Sequence, residues 1–420
     1  MRAEELGQGG AGAQVRRRQV FYIPGYDPIH PRRYRELYRK EGAAQAEISG
    51  YEIALSPKRG SDRYGWHVSA RVEDAPVEAE FEVLVWSDLV RDSMSNGIPA
   101  TYWQLLRTSW TYIGSGALRR LMWLRKGPVI AALYPVGMLI LQALLGMLLG
   151  GLVANVVGRL ASWLWAPAWL SGGLGWVAFF AVLVAVLRWF RSKDGRLFAY
   201  YLMHDYAHSA RLNGAYPPDL EERLNDFGDR IAGAMAGDAD EVLVVGHSSG
   251  AHLAVSVLSD LIRAGRIPAD GPALGLLTLG QVVPMLSFLP RAGRLRADLR
   301  FLSTSDELAW IDITAPGDGC SFALCDPVAV SGVATEGKRW PLVFSAAFTQ
   351  TLSPERWKDL RWRFFRLHFQ YLCAFDRPGD YDYFRVTAGP QTLAARYAER
   401  PPSKSRIDVP VSKYTSVRAA

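Results

Sequence analysis

Residues 241–261 read EVLVVGHSSGAHLAVSVLSDL and join three local patterns that together predict the centre of the fold. The apolar, β-branched run Val242–Val245 predicts a buried parallel strand, and it ends at the GHSSG turn of residues 246–250. Apolar residues then return at helical spacing, at Ala251, Ala254, Val255, Leu258 and Leu261. Strand, tight turn and helix are the context that a G-x-S-x-G nucleophile elbow requires, so Ser248 is the predicted nucleophile. The alternative is a structural turn that merely contains a serine.

Length and composition indicate a chain that folds in a reducing compartment. With 420 residues, of which 49% are hydrophobic, the chain can bury one large core or two modest ones. The chain has three cysteines, Cys320, Cys325 and Cys373. They are too few for a disulfide framework, and their odd number would leave at least one unpaired. His204 and His208 share one face of a predicted helix but lack a third ligand, so we expect no metal and no other cofactor.

The net charge of +7 suggests nucleic acid at first, but its distribution favours a membrane. Lysine and arginine concentrate beside apolar segments, and no basic run is interleaved with aromatic residues. We therefore expect the lipid bilayer, and not nucleic acid, as a partner. Residues 1–19 have no apolar core, so they predict a mobile tail that ends in a basic patch at Arg16–Arg18, and not a signal peptide.

Two long uncharged runs predict a transmembrane hairpin. Pro128–Gly158 has no charged residue over 31 positions, and Leu160–Leu187 has none over 28. About 20 apolar residues cross a bilayer, so we place the spans at about 129–153 and 170–190. The basic flanks are Arg119, Arg120, Arg125, Lys126, Arg188, Arg191, Lys193 and Arg196. They predict a multi-pass protein of the inner (cytoplasmic) membrane, with the catalytic domain and both termini in the cytoplasm. The alternative is a buried apolar hairpin of a soluble protein.

The predicted strands lie on both sides of this hairpin in the chain. They are Val20–Pro24, Tyr51–Leu55, Gly65–Val72, Glu80–Trp86, Val242–Val245, Leu274–Leu279 and Leu308–Thr314, with helices over Pro31–Gln45, Leu197–Leu212, Asp219–Ala236 and Pro354–Phe375. One sheet cannot straddle a bilayer, so the number of crossings between its halves must be even. The predicted organisation is a tail (1–19), a domain in two parts (20–118 and 197–400), an inserted hairpin (119–196) and a second mobile tail (401–420).

A nucleophilic serine needs a base to accept its proton and a carboxylate to orient that base. In one known chain order the acid follows the serine and the histidine comes last. His368 is the only histidine after the predicted elbow helix, so it is the predicted base. The carboxylates between them include Asp306, Asp312, Asp318 and Asp326. Asp318, in the turn after the strand 308–314, is best placed because ligands bind beyond the carboxyl ends of strands, and Asp326 is the alternative.

An oxyanion hole requires two backbone N–H donors close to the nucleophile. The N–H of Ser249, which follows the nucleophile, is the first expected donor. The second usually comes from the loop after an earlier strand, and residues 23–26 (IPGY) fit, since glycine lets a backbone approach a ligand closely. Gly25 and Tyr26 are therefore the second candidates. The alternative is that this stretch is an ordinary turn at the end of a strand.

These residues resemble the α/β-hydrolase superfamily. The GHSSG turn looks like the lipase form of the elbow, and the order of Asp318 and His368 is similar to the triad of the class 3 lipase-like branch. The resemblance covers residues 20–24, 80–86 and 241–388, and not the apolar hairpin. The chain departs from the pattern at Ala251, where a second glycine is common, and no lid sequence is recognisable.

The resemblance implies an α/β-hydrolase-like, mostly parallel sheet flanked by helices. It also implies a serine esterase or lipase-like hydrolase that cleaves ester-type acyl bonds, including those of lipid-like substrates, through an acyl-enzyme. The alternative function is a catalytically inactive membrane protein that keeps the scaffold for binding or assembly, because a fold alone does not establish an activity.

Overall fold

The computed structural model describes residues 14–58, 63–94 and 97–418, which form two compact units. The first unit contains the described residues up to Arg91, Ser115–Pro128 and the chain from Leu212 onward. The second contains residues 92–114 and 129–211. The second unit therefore holds both apolar segments from residue 129 onward, the chain that follows them to residue 211, and the separate stretch 92–114.

The first unit is built on one eight-stranded sheet. Its strands are β1 (Arg17–Ile23), β2 (Glu52–Pro57), β3 (Gly65–Val72), β4 (Ala75–Val83), β5 (Glu241–His247), β6 (Ala273–Leu279), β7 (Ala309–Thr314) and β8 (Leu342–Ser345). They lie in the order β2-β3-β4-β1-β5-β6-β7-β8, and β3 runs opposite to the other seven. The predicted class, an α/β protein with a mostly parallel sheet flanked by helices, is confirmed.

The helices complete both units. They are α1 (Arg32–Ser49), α2 (Ser87–Ser93), α3 (Ile98–Gly114), α4 (Ala117–Leu124), α5 (Lys126–Trp163), α6 (Ala168–Ser192), α7 (Asp194–Leu197), α8 (Ala199–Ala210), α9 (Pro218–Met235), α10 (Gly250–Arg263), α11 (Val283–Ser287), α12 (Gly293–Leu302), α13 (Pro327–Val330), α14 (Phe348–Thr351), α15 (Pro354–Leu360), α16 (Phe364–His368), α17 (Tyr383–Ala388) and α18 (Leu393–Arg396). All seven residues of β5 are buried, as expected for a central strand covered on both faces.

One strand has other bounds than predicted, and another was not predicted. The strand predicted at Glu80–Trp86 is β4, which begins and ends earlier because it pairs with β3 directly after the turn Glu73-Asp74. Both turn residues have positive φ (53° and 61°), a conformation usually marked by Asn-Gly or Asp-Gly, so the residues here carry little sign of this hairpin. Trp86 lies beyond the strand, where its indole N–H donates to the carbonyl of Pro24 at 2.9 Å. The four-residue strand β8, which is too short for a periodic pattern, was not predicted at all.

The helix predicted over Pro354–Phe375 is broken into α15, α16 and a 3₁₀ turn at Gln370–Leu372. α15 has no buried residue, whereas Leu367, His368, Gln370, Tyr371 and Leu372 are all buried. In a single helix, five buried residues within six consecutive positions would point in all directions around the axis and could not share one buried face. The chain therefore changes direction at each break.

The described parts of both predicted tails are held against the domain. Arg18 belongs to β1 and is buried, and its Nε donates to Glu241 at 2.6 Å, so it is not part of an exposed basic patch. Near the other end, the N–H of Ser403 donates to Val343 at 3.0 Å. The N–H of Ile407 donates to Leu324 at 2.7 Å, which ties the segment after Pro401 to the domain. The remainder of the first predicted tail, residues 1–13, lies outside the described residues.

The second unit contains α5 and α6, which are long and apolar enough to cross a membrane, and no other helix among the described residues meets that test. Glycines bring the two helices together: a Cβ at Gly146 would lie 2.7 Å from Leu183, and one at Gly150 would lie 2.8 Å from the carbonyl of Phe179. α5 is longer than the predicted span at both ends. Large apolar side chains along both helices are exposed, which is unlike the buried core hairpin of a soluble protein.

Candidate active site

Ser248 occupies a strained turn between β5 and α10. Its φ of +57° is a left-handed conformation that side chains other than glycine adopt rarely and at a cost of about 1–3 kcal/mol. The flanking glycines make the turn possible. A Cβ at Gly246 would lie 2.6 Å from the carbonyl oxygen of Gly250, and one at Gly250 would lie 2.1 Å from the carbonyl oxygen of Ile23. The turn is therefore a tight elbow that presses against the end of β1.

The loop after β1 also packs against the serine itself. A Cβ at Gly25 would lie 2.9 Å from the Cβ of Ser248 and 3.3 Å from its Oγ, so only glycine fits there without a shift. Neither the N–H of Gly25 nor that of Ser249 donates a hydrogen bond to another residue in the described part of the chain. Within the described residues, the two backbone donors that the sequence predicted for an oxyanion hole therefore have no hydrogen-bond partner.

The position of this elbow in the sheet is one that commonly binds ligands. β1 and β5 are parallel neighbours, and their carboxyl ends meet at the same edge. After β1 the chain continues to the β2–β4 side of the sheet, whereas after β5 it continues to the β6–β8 side. Such a reversal of strand order opens a crevice beyond the carboxyl ends of the two strands. Gly25 and Ser248 follow β1 and β5 at these carboxyl ends.

His368 and Asp318 form a buried pair at the same edge. The Nδ1 of His368 lies 2.8 Å from Oδ2 of Asp318, which also accepts a hydrogen bond from the hydroxyl of Tyr371 at 3.0 Å. The other oxygen, Oδ1, accepts from the N–H of Cys320 at 2.9 Å. Burial by itself would raise the pKa of Asp318. The charge of His368 and the hydrogen bonds to the carboxylate outweigh burial and hold that pKa below its usual value.

His247 connects the elbow with this pair and was not predicted to have a role. Its ring centroid lies 4.8 Å from that of His368, and its Nε2 lies 3.0 Å from the carbonyl oxygen of His368. Burial, followed by the neighbouring charge of His368, lowers the pKa of His247 to about 3. His247 is therefore neutral, and the N–H at its Nε2 donates to that carbonyl. The only signal in the sequence was its place as the variable residue of the G-x-S-x-G motif.

Ser248 and His368 both lie near the chain that follows β6. The N–H of Ser248 donates to Leu279 at 2.9 Å, and a Cβ on the following residue, Gly280, would lie 3.1 Å from Cε1 of His368. No hydrogen bond joins the Ser248 hydroxyl to His368 among the residues that the structure describes. Catalytic hydrogen bonds are often long in the absence of substrate and tighten when it binds.

The other candidate carboxylates have different partners. Asp326 caps α13 by accepting from Val328 and Ala329 at 3.0 Å, and it pairs with Lys338 at 2.6 Å. Asp306 pairs with Arg339 at the surface. Asp312, within β7, is fully buried and accepts from the hydroxyl of Thr278 at 2.6 Å. None of these partners is His368.

Two groups of side chains could be considered for a metal. One ligand atom from each of Asp318, Cys320 and His368 lies within 4.8 Å of the others, but both oxygens of Asp318 already accept hydrogen bonds. His204, one of the two histidines at helical spacing, directs Nδ1 to Oε1 of Gln104 at 2.7 Å. The geometry of the first group therefore resembles a histidine–carboxylate pair more closely than a set of vacant ligands.

A cavity of about 450 Å³ lies near the carboxyl end of β8. Pro316 and Gly317, which precede Asp318, line it together with Arg400 and Ser403, but Ser248 and His368 do not. The elbow residues therefore lie outside the lining of this cavity. In comparisons with known proteins, no family model, no curated protein and no solved structure matches this chain.

Proposed function

We propose that the chain is a membrane-anchored serine hydrolase of the α/β-hydrolase type that cleaves ester-type acyl bonds. The observation that carries the proposal is the convergence of a strained serine, two backbone N–H donors with no partner among the described residues, and a buried histidine–carboxylate pair at one edge of the sheet. These groups come from the loops after β1, β5 and β7 and from α16, and each has the chemistry that its role in acyl transfer requires.

In the proposed reaction the Oγ of Ser248 attacks the acyl carbon while its proton passes to Nε2 of His368. The N–H at Nδ1 of His368 donates to Asp318, which fixes the tautomer and leaves Nε2 as the base. The N–H groups of Ser249 and of Gly25 or Tyr26 stabilise the oxyanion. The leaving alkoxide takes the proton from His368, and water then hydrolyses the acyl-enzyme by the reverse sequence of proton transfers.

A fluorophosphonate probe on the full-length protein in detergent or vesicles tests this proposal directly. We expect covalent labelling in the wild type and its loss in Ser248→Ala and His368→Ala. Ser249→Ala is the matched control, because the proposal uses the backbone N–H of Ser249 and not its hydroxyl. If His368→Ala reacts as fast as the wild type while His204→Ala does not, the assigned base is wrong.

A second function has one observation in its favour. Since no hydrogen bond joins Ser248 to His368 within the described residues, the chain could be a catalytically inactive member that uses the scaffold for binding or assembly. A protein of that kind would fold normally but would not react with the probe. Wild-type labelling no faster than that of Ser248→Ala would favour this second function.

We further propose that α5 and α6 anchor the catalytic unit to the cytoplasmic face of the inner membrane. The basic residues beside both helices support this orientation, and only Arg159 lies near the connecting turn. Reporters fused after residue 420 and inserted at Arg159 should then report opposite sides of the membrane. A report of the extracytoplasmic side at residue 420 would reverse the orientation.

A lipid-like or membrane-dissolved acyl ester is the proposed substrate class. Anchoring holds the elbow near the bilayer and raises the effective concentration of anything dissolved in it. Full-length protein in vesicles should therefore hydrolyse long-chain esters faster than short-chain ones, and the preference should weaken in detergent. Equal rates for both chain lengths in vesicles would indicate that the anchor only localises an enzyme for soluble esters.

A further inference from the structure

The helix α3 exposes large apolar side chains along one face. Its exposed side carries Trp103, Leu106, Trp110 and Ile113, which are 66%, 60%, 80% and 64% exposed. Their spacing of three, four and three residues places them along one face, which we call the α3 stripe. The buried side carries Thr101, Thr108 and Thr111 together with Leu105 and Tyr112. Hydroxyl groups thus face the protein and large apolar groups face outward, an arrangement that a surface in water does not favour.

The rest of the second unit holds α3 beside the first apolar helix. The hydroxyl of Tyr102 donates to the carbonyl of Leu139 on α5 at 2.8 Å, and Leu105 packs in a small core with Leu139, Tyr200 and Met203. These contacts bury one side of α3 and thereby determine which of its residues face outward.

The register of the apolar hairpin gives the level at which α3 lies. Close contacts pair Gly146 with Leu183, Gly150 with Phe179 and Ala154 with Gly175. The two helices are therefore antiparallel, and each advance of four residues along α5 corresponds to four residues backward along α6. The same register places Leu139 level with Phe190, so the part of α5 that crosses the membrane beside α6 would begin near Leu139 and not at the predicted residue 129. That end of α6 carries Arg188, Arg191 and Lys193, the residues expected at the lipid headgroups.

Length and charge exclude a third crossing by α3. Its 17 residues span about 25 Å, less than the roughly 30 Å of a hydrocarbon core, and Arg107 lies near its middle. Tryptophan is enriched at membrane interfaces, where its ring is buried and its N–H stays near water. The second unit also carries seven basic and three acidic residues, a balance that suits anionic headgroups.

From these observations we propose that α3 is a third membrane element, which lies in the plane of the cytoplasmic leaflet with the α3 stripe among the acyl chains at the headgroup boundary. The occupant of this face is the lipid bilayer, and neither a second copy of the chain nor another protein. The proposal rests on the proposed membrane anchoring and is independent of catalysis.

Site-specific photo-crosslinking tests it on the full-length protein in vesicles of phosphatidylcholine and phosphatidylglycerol. p-Benzoylphenylalanine replaces Leu106 or Trp110 in the α3 stripe, Leu148 on α5 as the lipid-facing control, or Ile48 on α1 as the control in water. Leu148 and Ile48 are 62% and 43% exposed, so both controls accept the bulky side chain.

We expect lipid adducts at positions 106, 110 and 148, and none at position 48. Adducts with a second copy of the chain at positions 106 and 110, or no adduct there while position 148 captures lipid, would overturn the proposal and leave the anchoring intact. Absence of lipid adducts at position 148 as well would overturn both. Two positions in the stripe guard against a single variant that fails to fold.

Discussion

Gly25 and Ser248, far apart in the chain, are in contact across the edge of the sheet. A Cβ at position 25 would lie 2.9 Å from that of Ser248. The loop after β1 therefore packs closely against the elbow after β5. Because residue 25 has no side chain, its backbone can approach Ser248, the proposed nucleophile. This is the contact on which the proposed oxyanion hole depends.

Gly25→Ala should lower activity without unfolding the protein. The added methyl group must push apart the loop and the serine, and displacement of reacting groups by about 1 Å costs on the order of a hundredfold in rate. Gly233→Ala on α9 is the matched control, because a Cβ there meets nothing within 4 Å. It should keep full activity and gain about 0.5–1 kcal/mol in stability from better helix propensity. Turnover on a chromogenic ester and thermal melting measure both effects. Unchanged turnover in Gly25→Ala would contradict the role of this loop.

Asp318→Asn should reduce turnover by about three to four orders of magnitude, because the amide no longer selects the productive tautomer of His368. Asp326→Asn should keep turnover but lower the melting temperature, since asparagine can still cap α13 but loses the ion pair with Lys338. Steady-state kinetics and melting of the two variants, measured side by side, separate these roles. Loss of turnover in Asp326→Asn alone would transfer the acid role to Asp326.

Asp312→Asn should stabilise the protein at alkaline pH. Burial, only partly opposed by the hydrogen bond from Thr278, raises the pKa of Asp312 to about 8. The folded state therefore keeps a proton that the unfolded state releases above about pH 4. The stability associated with this group is present at low pH and is lost as the pH rises from about 4 to 8. Asparagine carries no such proton, so melting at pH 5 and pH 9 should show a gain over wild type that is larger at pH 9. An equal difference at both pH values would refute the linkage.

Gly150→Leu should destabilise the apolar hairpin, whereas Gly151→Leu should not. A Cβ at Gly150 would lie 2.8 Å from the carbonyl oxygen of Phe179, but one at Gly151 meets nothing within 4 Å. Close helix packing in membranes depends on such small residues, and overpacking costs about 1–3 kcal/mol. Thermal melting in detergent compares the two neighbours at equal helix propensity. Equal melting temperatures would mean that α5 and α6 do not pack through Gly150.

Local patterns in the sequence determined the elements whose identity depends on neighbouring residues. The apolar run 242–245, the GHSSG turn and the helical spacing after it predicted β5, the elbow and α10, because strand and helix periods are short-range properties. The two uncharged runs likewise predicted long apolar helices from length alone. Chain order pointed to His368 and Asp318, and the structure brings these two together.

Only the tertiary structure decided which distant groups meet. Asp326 has a local cap and an ion pair with Lys338, whereas Asp318 meets His368 because their chain segments converge at one edge of the sheet. The contact of His247 with His368, the fit of Gly25 against Ser248 and the outward face of α3 depend in the same way on segments remote in sequence. A single sequence records the period of each element, but it does not record the register in which sheets and helices pack, and that register sets every distance in the site.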